Sequence, residues 1–360
     1  MALMRTQRKP GRNFPVRPKG GAAGGGATRL KAGVVRAMPA GMTVTRDAIA
    51  AAAARIAPYV RRTPLLDVPA GELGQGFAMV LKLELLQHAG SFKPRGAFNR
   101  ILTARESGEL PTAGVPAAGV IAASGGNHGA AVAYAARALG LVAEIFVPQH
   151  TPATKIARIE SFGARLVRGG ETYVEALAAS RVRQAQTGAM EVHAFDHQAV
   201  LEGQGTVAKE FLEDASGITH LLVATGGGGL IGGMAAWAGG RVQVVSVEPT
   251  GCPGLHDALA AGVPVASPVG GVAADALGAR QVGALMFPIA QAYVSRAVLV
   301  QDDDIRAAQR LLWDRFRLVA EPGGATALSA ILSGAFVPPP GSRVGVLVCG
   351  ANTDPATVMG

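Results

Sequence analysis

The sequence predicts an α/β protein with two lobes, each an open, mostly parallel sheet flanked by helices. Three observations carry this. From Met42 onward, short apolar runs alternate with longer alanine-rich segments of helical period. The alternation comes in two series, and the second starts at "THLLVATGGGG". The glycine-rich segments directly follow apolar runs, where open α/β sheets bind ligands beyond the carboxyl ends of their strands. The implied division is a large lobe from residues 42–115 and 193–360, and a small one from residues 116–192.

In chain order, Thr45 caps a helix through "RDAIAAAAARIAPYV" that ends near Pro58. "AMVLKLELL" (78–86) reads as a buried strand. It leads to "GSFKPRGAFN" (90–99), where Pro94 suits the first turn of a helix and places Lys93 at the N-cap. The helix dipole is positive there, and burial beside Phe92 acts in the same direction, so both disfavour the ammonium form. A neutral lysine is a nucleophile that forms Schiff bases with carbonyls. A solvated lysine at a helix start would show the same ten residues.

"GVIAAS" (119–124) is the next strand, followed by the helix "HGAAVAYAARALG" with Gly140 as its stop. "AEIFVP" is a strand, and "TPATKIARIESFGA" a helix with Thr151 as cap and Pro152 in its first turn. "RLVRG", the helix "ETYVEALAASRVRQAQTG" and "MEVHAF" complete the first series. The second runs through "RVQVVSVEP" to a closing strand, "RVGVLVCG" (343–350).

Composition limits the function classes. Apolar residues make up 49% of the 360 residues, enough for a large core. No run approaches the ~20 apolar residues of a membrane span, so no membrane partner is expected. Two cysteines give no disulfide framework, and a cytoplasmic setting follows. The net charge of +9 resides in residues 1–41, which hold nine basic residues and no acidic one. The body from Met42 is formally neutral, so nucleic acid is not the expected partner. The Gly/Arg-rich extension reads as disordered, and Met42 opens the folded pattern.

"VATGGGGLIGG" satisfies a dinucleotide fingerprint through Gly227, Gly229 and Gly232, with Glu248 placed 21 residues after Gly227 as a ribose-binding acid. The shared physics is wider. Successive amides without Cβ atoms wrap any phosphate at a helix start. An NAD(P)-dependent oxidoreductase therefore stays open at this point. "ASGGNHGAA" (123–131) offers a second such loop, and "VLVCGANTD" ends a strand in Cys349-Gly350. No Cys/His spacing suggests a zinc site, and no metal is expected.

A lysine after Ser-Phe, an S-G-G-N-H loop, a G-G-G-G-L loop and a strand-end Cys-Gly occur here in this order. Together with "RRTPLL", "LEGQGTVAKE", "VEPTG", "AADALG" and "VAEPGGATAL", they resemble the fold type II pyridoxal-phosphate enzymes related to the tryptophan synthase β subunit, specifically the threonine/serine dehydratase group. The resemblance extends from about Met42 to the C-terminus. It implies pyridoxal 5'-phosphate as cofactor, joined to Lys93 as a Schiff base, with Phe92 beside its ring. Asn127 would bond the ring hydroxyl. Gly226, Gly227, Gly228, Gly229 and Leu230 would hold the phosphate, and Cys349 would face the pyridine nitrogen. Ser124, Gly125, Gly126, Asn127 and His128 would receive the substrate.

The implied reaction removes water from L-threonine, L-serine or a related 3-hydroxy amino acid, yielding a 2-oxo acid and ammonia. Lys93 would be the base, and a homodimer is implied. Serine racemases of this group carry a serine where Gly125 stands, so racemisation is expected to be minor. A divalent-cation site of some relatives matches at Glu248 and lacks a carboxylate at Gly254. Eleven residues follow Cys349, so no regulatory domain is expected there.

Overall fold

The computed structural model describes residues 43–110 and 119–359, and the basic extension of residues 1–41 lies outside them. Ten strands form two sheets. The larger holds β1 (Leu65–Val68), β2 (Ala78–Lys82), β7 (His220–Ala224), β8 (Gln243–Pro249), β9 (Val294–Val300) and β10 (Arg343–Leu347) in the order β1-β2-β10-β7-β8-β9. Every pairing in it is parallel except β1 with β2. The smaller sheet is wholly parallel, with β3 (Val120–Ala123), β4 (Ala143–Val147), β5 (Arg165–Arg168) and β6 (Met190–Glu191) in the order β5-β4-β3-β6. The α/β class and parallel sheets expected from the sequence are present.

Central strands such as β3 and β10 are apolar on both faces because helices cover both. Around them run α1 (Arg46–Ile56), α2 (Lys93–Glu106), α3 (Asn127–Ala138), α4 (Ala153–Ser161), α5 (Tyr173–Thr187), α6 (Gln198–Asp214) and α7 (Gly229–Ala238). Thr45 caps α1 by accepting from the Ala48 amide. Among the described residues no helix is long and apolar enough to cross a membrane.

Several boundaries differ from the sequence reading. The strand expected over 78–86 stops at Lys82, because Glu84–Leu86 turns into a 3-10 segment that carries the chain toward α2. "MEVHAF" contributes a two-residue strand, since His193 folds back to accept from the Phe195 and Asp196 amides. Thr151 does not cap α4. Its hydroxyl donates to the Pro148 carbonyl at 2.8 Å, and Pro152 occupies the cap position. Lys93 is the first residue of α2 and not its N-cap, which is Phe92. The structure adds two strands to those expected, the antiparallel β1 and the edge strand β9.

Two features fix the start of α2. The first is a buried ionic cluster. Arg95 pairs with Glu84 at 2.6 Å and Glu210 at 3.0 Å, and Lys82 Nζ pairs with Glu210 at 2.5 Å. Thr63 donates to both carboxylates, from its hydroxyl to Glu84 and from its amide to Glu210. The second is close backbone packing. A Cβ on Gly203 of α6 would fall 2.5 Å from the Arg95 carbonyl oxygen. One on Gly233 of α7 would fall 2.1 Å from the Leu201 oxygen. The segments carrying the lysine and the glycine run are thus packed against the same helix, α6.

Removing one member of a buried, hydrogen-bonded charge cluster leaves its partners uncompensated. Arg95→Met is therefore expected to destabilise the protein by about 3–5 kcal/mol. Urea unfolding would read this as a lower midpoint, and an unchanged midpoint would mean that the cluster does not fix α2.

Candidate active site

Lys93 begins α2 beside the carboxyl end of β10. The Phe92 amide donates to the Cys349 carbonyl at 3.2 Å, and Ser91 forms an antiparallel bridge with Gly350. Lys93 Nζ donates to the Ala194 carbonyl at 2.9 Å and lies 5.3 Å from the centre of the Phe92 ring. Its side chain keeps a partly accessible surface, but the protein around it strips enough water to push the ammonium pKa down to about 8. Glu321 opposes that shift by electrostatic attraction. At pH 7 such an amine is uncharged roughly 300-fold more often than an ordinary lysine.

Cys349 is buried, and its thiol donates to the Gly323 carbonyl at 3.5 Å. Burial raises its pKa far above the usual thiol range, so it stays a neutral thiol. The glycine run lies between β7 and α7. Gly228 is the N-cap of α7, with φ +88°, a conformation that glycine alone adopts without strain. A Cβ on Gly227 would meet the Phe195 ring at 2.4 Å, and one on Gly226 the Leu277 backbone at 2.8 Å. Among the described residues, no protein acceptor takes the amides of Gly226, Gly227, Gly228, Gly229 or Leu230. Five unpaired donors at a helix start suit a phosphate and leave no room for side chains beside it. These features fit the implied cofactor: an amine for its aldehyde, amides for its phosphate and a neutral thiol for its ring nitrogen.

The S-G-G-N-H loop joins β3 to α3. Ser124 Oγ accepts from the Gly126 amide at 3.3 Å, leaving Gly125 and Gly126 partly accessible. His128 is buried and its Nε2 donates to the Val192 carbonyl at 2.7 Å. Burial, with Lys93 nearby, pushes the imidazole pKa down to about 3. It is a neutral anchor for the loop. Asn127, the first residue of α3, donates from Nδ2 to Glu321 at 2.5 Å and accepts at Oδ1 from Asn352 at 2.5 Å.

Glu321, Asn352 and Phe195 were not singled out in the sequence. Glu321 stands before Pro322, which opens the helix Pro322–Leu332 and reads as ordinary helix-start chemistry. Burial raises its carboxyl to about 7, against the Asn127 bond and the cations Lys155 and Arg158.

The dinucleotide reading fails at Glu248. This carboxylate is fully buried and accepts from the Leu255 and His256 amides at 2.7 and 2.9 Å. It caps the helix Gly254–Ala261 and faces no ribose site. Its burial raises the carboxyl to about 7.

Comparison with known proteins identifies the family. A family model described as pyridoxal-phosphate dependent enzyme matches residues 56–350. Phenylserine dehydratase of Ralstonia pickettii is 36% identical, over 86% of this chain and 94% of its own length. L-threonine ammonia-lyase of Geobacter sulfurreducens is also 36% identical, over 84% and 74%. The solved structure of maize serine racemase superposes with a TM-score of 0.81 at 32% identity, covering 88% of this chain and 96% of that one.

The lowered pKa of Lys93 has a direct consequence. In cofactor-free protein, burial disfavours the charged form, so the amine loses its proton at a lower pH than an exposed lysine does. Capture of pyridoxal 5'-phosphate at Lys93, fixed by borohydride and located by peptide mass, should rise with pH around a midpoint of about 8. A midpoint near the ordinary lysine value of 10.5 would show that the amine is solvated.

Proposed function

This chain belongs to the pyridoxal-phosphate-dependent enzyme family, and from that premise we propose that it eliminates water from a 3-hydroxy amino acid, giving a 2-oxo acid and ammonia. Its cofactor is pyridoxal 5'-phosphate, which when bound supplies an electron sink for bond cleavage at the amino acid's Cα. The observation that carries the reading is the partly desolvated amine of Lys93 facing a thiol that stays neutral.

The chain's own groups divide the work. The amides of Gly226–Leu230 would hold the phosphate, and Phe92 would pack beside the ring. The loop from Ser124 to His128 receives the substrate carboxylate through amides and the Ser124 hydroxyl. His128 is neutral and tied to Val192, so it holds the loop in place and carries no proton. Lys93, uncharged in roughly a tenth of molecules at pH 7 and in more as pH rises toward 8, takes the Cα proton. The proton taken by Lys93 balances the hydroxyl that leaves Cβ as water, and the enamine released takes up one water to give the 2-oxo acid and ammonia. Cys349, unable to ionise at neutral pH, would give the ring nitrogen an uncharged neighbour. Charge developing at Cα is then held only briefly, which favours prompt loss of the β-substituent.

The similarity to phenylserine dehydratase and L-threonine ammonia-lyase supports elimination. Serine racemases among the relatives support a second reading, racemisation. Gly125 weighs against it. Racemisation needs a second acid/base on the opposite face of Cα, and glycine offers no proton-bearing side chain. A homodimer, as the resemblance implies, and a cytoplasmic setting, drawn from the low cysteine count, belong to the same proposal.

The deciding assay measures 2-oxo acid and ammonia from L-phenylserine, L-threonine and L-serine, with chiral analysis of the remaining amino acid. Release of 2-oxo acid without appreciable D-isomer is expected, whereas D-isomer formation at a comparable rate would assign the racemase activity. Lys93→Ala should lower 2-oxo acid formation by about 10³-fold or more while the thermal midpoint stays close to that of the parent. Gly125→Ser should raise the ratio of racemisation to elimination. A Cβ there would fall 2.9 Å from the Thr151 methyl, 3.4 Å from its Oγ1 and 3.6 Å from a Val147 methyl, so Thr151, tied to the Pro148 carbonyl, has to shift slightly to admit the serine.

A further inference from the structure

The Asn127 amide is held from both ends. Asn352 Nδ2 donates at once to the Ala89 carbonyl, at 2.8 Å, and to Asn127 Oδ1. A backbone carbonyl only accepts, so the Asn352 amide cannot turn over without losing a bond. At the other end an ionised Glu321 accepts only, so it takes an N–H of Asn127 Nδ2. Both constraints fix the same orientation, with Oδ1 toward Asn352 and Nδ2 toward Glu321. One N–H of Asn127 is then consumed by the carboxylate, and the second is left as a donor in a fixed direction.

The backbone around Glu321 is shaped for this contact. A Cβ on Gly350 would fall 2.1 Å from Glu321 Oε1, so only glycine after Cys349 lets the carboxylate in. The Glu321 amide donates to the Gly350 carbonyl at 3.1 Å. A Cβ on Gly324 would fall 2.1 Å from that same oxygen. The "EPGG" and "CG" segments therefore press backbone to backbone, which places a buried carboxylate against Asn127. Lys155, Arg158 and Asp275 are the charged side chains that act on Glu321 from α4 and from the helix Ala274–Leu277, and Lys93 and Cys349 feel it from the cofactor side.

We propose that Glu321 is a positioning residue which, with Asn352, locks the Asn127 amide so that its remaining N–H is aimed at the oxygen of the cofactor ring. The inference deepens the assignment of Asn127 to the ring hydroxyl and rests on it. Glu321 itself touches neither substrate nor cofactor in this role. Its effect passes through the orientation of one amide.

The test uses purified holoenzyme at pH 8.5, above the titration of Glu321, with three readouts: the absorption band of the bound cofactor, the cofactor dissociation constant, and the thermal midpoint of cofactor-free protein. Glu321→Ala removes the acceptor, and is expected to raise the dissociation constant by about tenfold and to shift the band toward that of Asn127→Ala. Glu321→Gln keeps an acceptor oxygen and should stay near the parent in both. In the Asn127→Ala background, Glu321→Ala should add little, because the two act as one unit. Asn352→Ala, which releases the amide from its other end, should move band and affinity in the same direction, and provides the test if Glu321→Ala does not fold. A lower thermal midpoint for Glu321→Ala with unchanged band and affinity would overturn the proposal in favour of a structural role. An unchanged band and affinity in Asn127→Ala would overturn the placement of Asn127 itself, and the proposal with it.

Discussion

An ammonium ion taken out of water loses hydration worth several kcal/mol unless a counter-charge replaces it. At Lys93 the replacement is deliberately incomplete. Among the described residues its one hydrogen-bond partner is a neutral carbonyl, that of Ala194, and no carboxylate pairs with it. A full salt bridge would restore the charge and abolish the nucleophile. Full exposure would leave the amine protonated at neutral pH. The useful state lies between, and it demands that the walls around the amine stay where they are.

Rigid walls are what the surrounding structure supplies. The opening of α2 is held by Arg95, buried against two carboxylates that also receive bonds from Lys82 and Thr63. This cluster sits a single turn from the lysine, so any looseness there would be transmitted to Nζ. The glycines of α6 and α7 extend the same rigidity to the opposite wall, since backbone packed on backbone has no side-chain rotamers to absorb displacement. The Ala194–Phe195 segment then joins the two. Ala194 takes the Lys93 proton donor, and Phe195 lines the outer side of the tetraglycine turn.

How much of this was legible in the sequence depends on whether a residue works locally. Lys93, the glycine run and the S-G-G-N-H loop each sit at a strand-to-helix junction, and local punctuation marks such junctions clearly. Helix starts such as Thr45 were legible for the same reason. Thr151 shows the limit, because a hydroxyl before Pro has two local uses and the packing of α4 chose the bond back to Pro148. Glu248 shows it more strongly. Its spacing from Gly227 fits a ribose-binding acid, yet the fold turns it inward to cap a later helix. Glu321 and Asn352 were invisible because their partner, Asn127, lies 194 and 225 residues away along the chain.

The glycines after Cys349 and Glu321 tie these threads together. Read alone, Gly350 ends a strand and Gly324 sits early in a helix, where it weakens helical propensity. Their cost is understandable only once the two segments are seen in contact, since a methyl group at either position would collide with the other chain segment. That contact brings a neutral thiol and a carboxylate to the same side of Lys93 by different routes. Cys349 is buried beyond ionisation, while Glu321 keeps an accessible proton equilibrium and a hydrogen bond to Asn127. Charge is thus kept off the Cys349 thiol and directed instead onto the Asn127 amide. Under the proposed function, such an arrangement would leave the ring nitrogen with an uncharged neighbour and the ring oxygen with a fixed donor, which would suit brief stabilisation followed by loss of a leaving group.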